Sequence, residues 1–184
     1  MNPFFIIPSM RLYLRPIDLE DAEKIFEYKS NKEVNKFQGF IPKNISEVED
    51  FIQNKTAREI NIENTWFQFV IIHDRDNKVI GDIGLHFLEG GNNQVEFGIT
   101  LNSAYQQKGY AKEAMESVLS YLFRDLEKHR IIASIDPRNK SSIQLLESLK
   151  MRKEAHFKKS LFIENEWVDD VVYAILKEEY DAEH

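Results

Sequence analysis

Apolar and polar residues alternate from Met10 to Arg15 (Met-Arg-Leu-Tyr-Leu-Arg), the period of a half-buried strand, and Pro16 ends the run. Ala22, Ile25, Phe26 and Lys29 then follow helical spacing, with Asp18 placed to cap the helix. Asn35 to Asn44 holds Gly39 and Pro42 and reads as a loop. After it, Ser46-Glu-Val-Glu49 has the form of a capping box that opens a second helix through Phe51 and Ile52. Three strands follow, Phe67 to Ile72, Val79 to Phe87 and Val95 to Leu101. Turn residues at Asp74-Arg-Asp-Asn77 and Gly90-Gly-Asn-Asn93 separate them into an antiparallel meander. Ala111, Ala114, Met115, Val118, Leu119 and Leu122 mark a third helix, Ile131 to Ile135 a short buried strand, and Ile143, Leu145, Leu146 and Leu149 a fourth helix. Two last strands, Ala155 to Ile163 and Trp167 to Leu176, meet at a turn at Glu164-Asn165. This order predicts an α/β fold: a single mixed, mostly antiparallel sheet with helices on both faces.

The length of 184 residues suits one domain over 1–184, with an N-terminal arm over 1–9 and a C-terminal tail over 177–184. A chain with 42% hydrophobic and 30% charged residues can bury a core without staples. The absence of cysteine excludes a disulfide scaffold, a thiolate metal site and a nucleophilic protein thiol. Acidic residues outnumber basic ones by 31 to 24, giving a net charge of −7, which argues against a nucleic-acid-coating role. The same surplus favours a cationic small molecule or basic peptide as partner, and it also serves plain solubility. No apolar run is long enough to span a bilayer, and the apolar start Met1 to Pro8 lacks a basic leader and a cleavage site. The expected setting is cytoplasmic, away from membrane. His73, His86, His129, His156 and His184 show no metal-ligand spacing, so no metal is expected.

The stretch with chemistry is Leu101-Asn-Ser-Ala-Tyr-Gln-Gln-Lys-Gly-Tyr-Ala-Lys112. A strand ends, Gly109 permits close backbone approach, and a helix begins. Helix N-termini carry free N–H groups and a positive dipole end, which together suit a phosphate or diphosphate. Lys108 and Lys112 would add charge at the mouth. An equal reading makes Gly109 a turn residue and the lysines a solvated face. Neither a Gly-x-x-x-x-Gly-Lys-Ser/Thr loop nor a Gly-x-Gly-x-x-Gly helix start is present.

Gln106-Gln-Lys-Gly109-Tyr-Ala111 resembles the Gln/Arg-x-x-Gly-x-Gly/Ala signature of the GCN5-related N-acetyltransferases (GNAT). Asp136-Pro-Arg-Asn139-Lys-Ser-Ser142-Ile-Gln-Leu-Leu146-Glu147 resembles the Asn-x-x-Ser-x-x-Leu-Leu-Glu helix of their RimJ/RimL-type branch. Glu166-Trp-Val-Asp-Asp-Val-Val-Tyr173 is similar to that branch's final strand, and the likeness runs from Met10 to Tyr180. Two places depart from it. Lys150-Met151 stands where Gly-Phe is usual, and Ala155 where Gly is common, changes that touch a helix C-cap and local packing.

The resemblance implies the GNAT fold and an enzyme moving acetyl from acetyl-CoA to a primary amine by direct attack. That amine would be a protein N-terminus, a polyamine or a small amine. It implies that the coenzyme's diphosphate lies on the N–H groups from Gln106 to Lys112 (Gln106, Gln107, Lys108, Gly109, Tyr110, Ala111, Lys112). Its pantetheine arm would run along Phe97 to Leu101 past Ile99, as a peptide adds to a sheet edge. Such an arm needs a gap in the sheet, and Gly98 is the candidate for a bulge that opens it, or a glycine that packs closely. Glu96 is the candidate general base, with an exposed or salt-bridged strand residue as the alternative. A backbone N–H near Ile99 would meet the oxyanion. Ser142 would serve the leaving thiolate and Asn139 the pantetheine arm; against both stands a simple helix-capping role for Asn139, Ser141 or Ser142. His86, on the strand beside Glu96, and Trp66, Phe37, Phe40 and Tyr28 are placed to line an acceptor pocket or to pack. The family further implies a homodimer. Two other function classes fit the same residues: a non-catalytic acyl-CoA-binding or sensing module on the same fold, and a phosphate binder without CoA specificity.

Overall fold

The computed structural model describes residues 5–90, 93–163 and 165–183. The predicted turn residues Gly91, Asn92 and Glu164, the first part of the N-terminal arm and His184 lie outside the described residues. The chain runs β1 (Ile7–Pro8), β2 (Leu12–Pro16), α1 (Ala22–Lys29), α2 (Lys32–Asn35), α3 (Ile45–Asp50), β3 (Thr65–His73), β4 (Lys78–Phe87) and β5 (Gln94–Leu101). It continues with α4 (Tyr110–Ser120), β6 (Arg130–Ile135), α5 (Lys140–Ser148), β7 (Arg152–Ile163), β8 (Glu166–Leu176) and α6 (Lys177–Glu183). The strands form one sheet in the order β1-β2-β3-β4-β5-β6-β8-β7. Every neighbouring pair is antiparallel except β5 with β6. That exception has a topological cause: α4 crosses over between the two strands and returns the chain to the end where β5 began.

Helices cover both faces. On one, Phe69, Ile71, Ile83, Leu85, Val95 and Phe97 pack under Ala114, Met115, Val118 and Leu119 of α4 and Leu146 of α5. On the other, Val70 and Ile72 pack against Ile25 and Tyr28 of α1 and Val48 of α3. Alternation along β3 sends its odd-numbered residues to the first core and its even-numbered ones to the second, so the strand reads as continuously apolar. Each fully buried aliphatic side chain contributes about 1.5–3 kcal/mol, so two such layers hold the sheet rigid behind its split edge.

Local signals resolve as follows. Asp18 caps as predicted, in a capping box with Asp21. The box predicted at Ser46-x-x-Glu49 is displaced: Asn44 accepts the Glu47 N–H at 3.0 Å while Glu47 reaches back to the Lys43 N–H at 2.8 Å. That register turns Val48, which is fully buried, toward α1. The predicted loop from Asn35 loses its first residue to α2, whose Asn35 side chain donates to the Tyr28 carbonyl at 2.6 Å. The predicted tail at 177–184 is helical over Lys177–Glu183, because buried Tyr180 stacks on Phe123, 4.9 Å between ring centres. No helix among the described residues is long and apolar enough to cross a membrane.

Candidate active site

Along β5, only the first three residues have strand partners on both sides. β4 pairs with it from Phe87↔Val95 to Gly81↔Leu101, whereas β6 pairs at Gln94↔Arg130, Val95↔Ile131 and Glu96↔Ile132 and then departs. Beyond Glu96 a cleft of about 500 Å3 opens between residues 97–99 and 133–135, walled by α5, the β7–β8 hairpin and Lys36, Phe37 and Gln38. The bulge expected at Gly98 is absent, since β4 and β5 keep their register without a shift. The sheet splays because β6 stays with β8 out to Ile135↔Val171. Gly98 has a different use: a Cβ there would meet nothing within 4 Å, and its absence leaves the cleft floor open. Gln38 Nε2 donates to the Ile99 carbonyl at 3.3 Å. In a strand the N–H and C=O of one residue point the same way, so the Ile99 N–H also faces the cleft.

The unpaired edge leads into the predicted anion turn. Asn102 caps a 3-10 turn over Ser103–Tyr105. The Gln106 N–H is taken by the Ser103 carbonyl at 3.2 Å and its side chain by the Leu101 carbonyl at 3.0 Å. Gln106 therefore leaves the predicted set of free amides, and Leu101 keeps its buried side chain in the core. From Gln107 to Lys112 no N–H finds an acceptor among the described residues. Gln107 (φ 59°) and Gly109 (φ 81°) are both left-handed and turn these amides outward ahead of α4. Gly109 is the N-cap and carries no capping side chain.

The two lysines expected at this mouth each hold a contact four residues away along the chain. Lys108 Nζ donates to the Ala104 carbonyl at 2.7 Å, and Lys112 lies 3.5 Å from Glu116 one turn along α4. The cation beside the turn is Arg11, which sequence reasoning passed over. Its Nη1 donates to the Lys108 carbonyl at 3.2 Å, its guanidinium lies 4.4 Å from the Tyr110 ring centre, and it pairs with Glu113 at 2.6 Å. Burial pushes the Glu113 carboxyl up, but the Arg11 amide, the Ser9 hydroxyl and the Arg11 guanidinium outweigh this and hold it below the ordinary value.

The two candidate catalytic side chains occupy opposite faces. Val95 and Phe97 point into the α4 core, so Glu96 points to the α1 side, on the last closed rung before the cleft. Its Oε2 lies 3.8 Å from Nδ1 of His86, its partner on β4, and the His86 ring stacks on Trp66 at 4.8 Å. Ser142 and Asn139 line the cleft from α5. Asn139 Oδ1 caps the helix by accepting the Ser142 N–H at 3.2 Å, which realises the capping alternative for Asn139, and the Ser142 hydroxyl has no hydrogen-bond partner among the described residues. Of the aromatic candidates, Phe37 lines the cleft, Phe40 stacks on Phe51, and Tyr28 is buried with its hydroxyl on Asp82 at 2.7 Å.

Four carboxylates (Asp136, Glu166, Asp169, Asp170) line the cleft against two cations, Lys36 and Arg138. The Asp169 carboxyl is held far below the usual carboxylate range by the Lys159 amide, then by Lys158 and His156. The Asp136 carboxyl is lowered by the Arg138 guanidinium. Both are anions at neutral pH, and the cleft presents a negative rim. Among the described residues no cluster of three or more His, Asp or Glu could hold a metal.

Comparison with known proteins agrees with this geometry. Residues 11–152 match the family model of the acetyltransferase (GNAT) domain. The chain is 34% identical over 175 residues to the uncharacterized N-acetyltransferase YnaD of Bacillus subtilis, covering 95% of this chain and 99% of that one. It is 29% identical over 118 residues to the ribosomal protein uS5-alanine N-acetyltransferase of Escherichia coli, 64% of this chain and 61% of that one. A crystal structure of a GNAT-family acetyltransferase from Bacillus anthracis superposes with a TM-score of 0.84 at 32% identity, over 95% of this chain and 100% of the other. A sheet split at one parallel strand pair, an uncapped helix start at its end and these relatives lead to one conclusion: the chain belongs to the GNAT family of N-acetyltransferases.

Proposed function

We propose that this acetyltransferase moves the acetyl group of acetyl-CoA to a primary amine by direct attack, with both substrates bound together. One observation carries the reading. The edge of β5 beyond Glu96, which has no strand partner, leads through the 3-10 turn at Ser103–Tyr105 to the free amides of Gln107 to Lys112. An extended amide-bearing arm adds to such an edge, and a diphosphate suits such amides. The residues thus fit a coenzyme that would bring the acetyl group as a thioester.

This chain's own groups supply the rest. The Ile99 N–H meets negative charge developing on the acyl oxygen. Glu96 takes a proton from the amine, which at a pKa of about 10 arrives mostly protonated. The Ser142 hydroxyl donates to the departing sulfur, and Asn139, its Oδ1 spent on the helix, offers Nδ2 to the arm. The negative rim favours a cationic acceptor, whether a polyamine, a basic peptide N-terminus or an aminoglycoside-like amine. Thiol release from acetyl-CoA, followed with each of these classes, should rise above background hydrolysis with at least one. No acceleration by any of them would overturn the amine-acceptor reading.

A further inference from the structure

We propose that Arg11 and Glu113 form a charge-compensated rim of the coenzyme's phosphate site, where Arg11 screens the Glu113 carboxylate from the diphosphate and lends it N–H donors. The inference rests on the reading of Gln107 to Lys112 as the diphosphate turn. Glu113 sits one helical turn beyond Gly109, and its N–H bonds to the Gly109 carbonyl at 3.1 Å. A carboxylate in the first turn complements the helix dipole, yet it opposes any anion that the same turn receives. The chain answers with a dedicated partner: Nε and Nη2 of Arg11 both lie 2.6 Å from Glu113 Oε2, and the Arg11 N–H lies 2.6 Å from Oε1.

The pair is built into the turn. Ser9 Oγ also donates to Glu113 Oε1 at 2.7 Å, and Nη1 of Arg11 holds the Lys108 carbonyl. A guanidinium has five N–H donors, and these contacts leave at least two of them unspent on a side chain that is 43% exposed. Nη2 lies 3.4 Å from where a Gly109 Cβ would stand, so unspent donors border the amide run itself. Lys108 and Lys112 hold contacts four residues away along the chain, and Arg11 adds a cation to this turn from outside it.

The test is calorimetric titration of CoA, dephospho-CoA and pantetheine into the full-length protein and three variants. Arg11→Ala should weaken CoA roughly tenfold or more, because it removes charge-assisted donors and bares a carboxylate. Adding Glu113→Gln to Arg11→Ala should recover the part of that loss due to the bared carboxylate, which mere damage to the turn would not allow. Arg11→Lys, which keeps the charge but not the fork, should fall between, and thermal melting of each unliganded variant reports folding. Equal losses for CoA and dephospho-CoA, with pantetheine unchanged, would assign the contact to the diphosphate. A loss confined to CoA would move it to the ribose phosphate and overturn the proposal. So would wild-type affinity in Arg11→Ala, or a double variant no better than the single one. If the unmodified protein itself does not bind CoA, the diphosphate reading fails first.

Discussion

Two helices start within reach of the split sheet, and they treat their first amides in opposite ways. At α5 the Asn139 side chain folds back onto the Ser142 N–H and the Lys140 N–H is taken by the Arg138 carbonyl, so two of the first donors of that end are spent on the fold. At α4 the N-cap is a glycine with no side chain to give, and the amides from Gln107 onward are left outward and bare. A glycine N-cap forgoes only a few tenths of a kcal/mol of capping relative to Asn or Ser, so α4 gives up its capping side chain at little cost in stability. The difference separates a helix end whose cap serves the fold from one whose bare amides are open to the anion site proposed above.

The contrast can be broken most severely at α4. Gly109→Glu puts a charged side chain in a left-handed position, a strain of about 1–2 kcal/mol, and aims it at the amide run. CoA affinity measured by calorimetry should fall by roughly a hundredfold or more, as expected when an anion meets a like charge at a helix N-terminus. Ser142→Ala sharpens the other side, because the cap uses the Ser142 N–H rather than its hydroxyl. Turnover should drop about tenfold or more while CoA affinity stays close to normal, the pattern of a group acting in the transition state. Asn139→Ala removes the α5 cap and should lower stability to urea by about 1 kcal/mol, whereas Asn139→Asp should keep it.

The smallest effect lies at the far end of α5. Lys150 (φ 62°) occupies a left-handed C-cap position, with Lys150 N–H on the Glu147 carbonyl and Met151 N–H on the Leu146 carbonyl, both at 3.0 Å. The departure from Gly-Phe at Lys150-Met151 thus falls on a helix C-cap, as the sequence indicates. Lys150→Gly should raise stability by roughly 0.5–1 kcal/mol by relieving that strain, read from the urea midpoint at unchanged slope.

Strands and helices with strong periodicity were legible in the sequence to within a few residues. Their burial is one-sided or complete, and either pattern is written directly in the side chains. Where two local solutions competed, the sequence was mute. Asn44-x-x-Glu47 and Ser46-x-x-Glu49 both offer a capping box, and the need to bury Val48 selects the first. The polar segment from Lys177 to Glu183 carries no amphipathic signal, and the stacking of Tyr180 on Phe123 makes it a helix. Arg11 is invisible as a site residue for a related reason: in sequence it is one polar position of an alternating strand, 102 residues from Glu113.

By itself the sequence determined which segments form strands and helices, because hydrophobic period is a local property, and it marked Gly109 by turn chemistry and Asn139 and Ser142 by resemblance to a family motif. Only the tertiary structure decided that the sheet opens by β6 leaving rather than by a bulge at Gly98. It alone put Glu96 and Ser142 on opposite faces of the sheet around the gap, and brought Arg11 to the turn. Those outcomes depend on which distant groups share a neighbourhood once the layers close, and no short-range pattern along a chain records that.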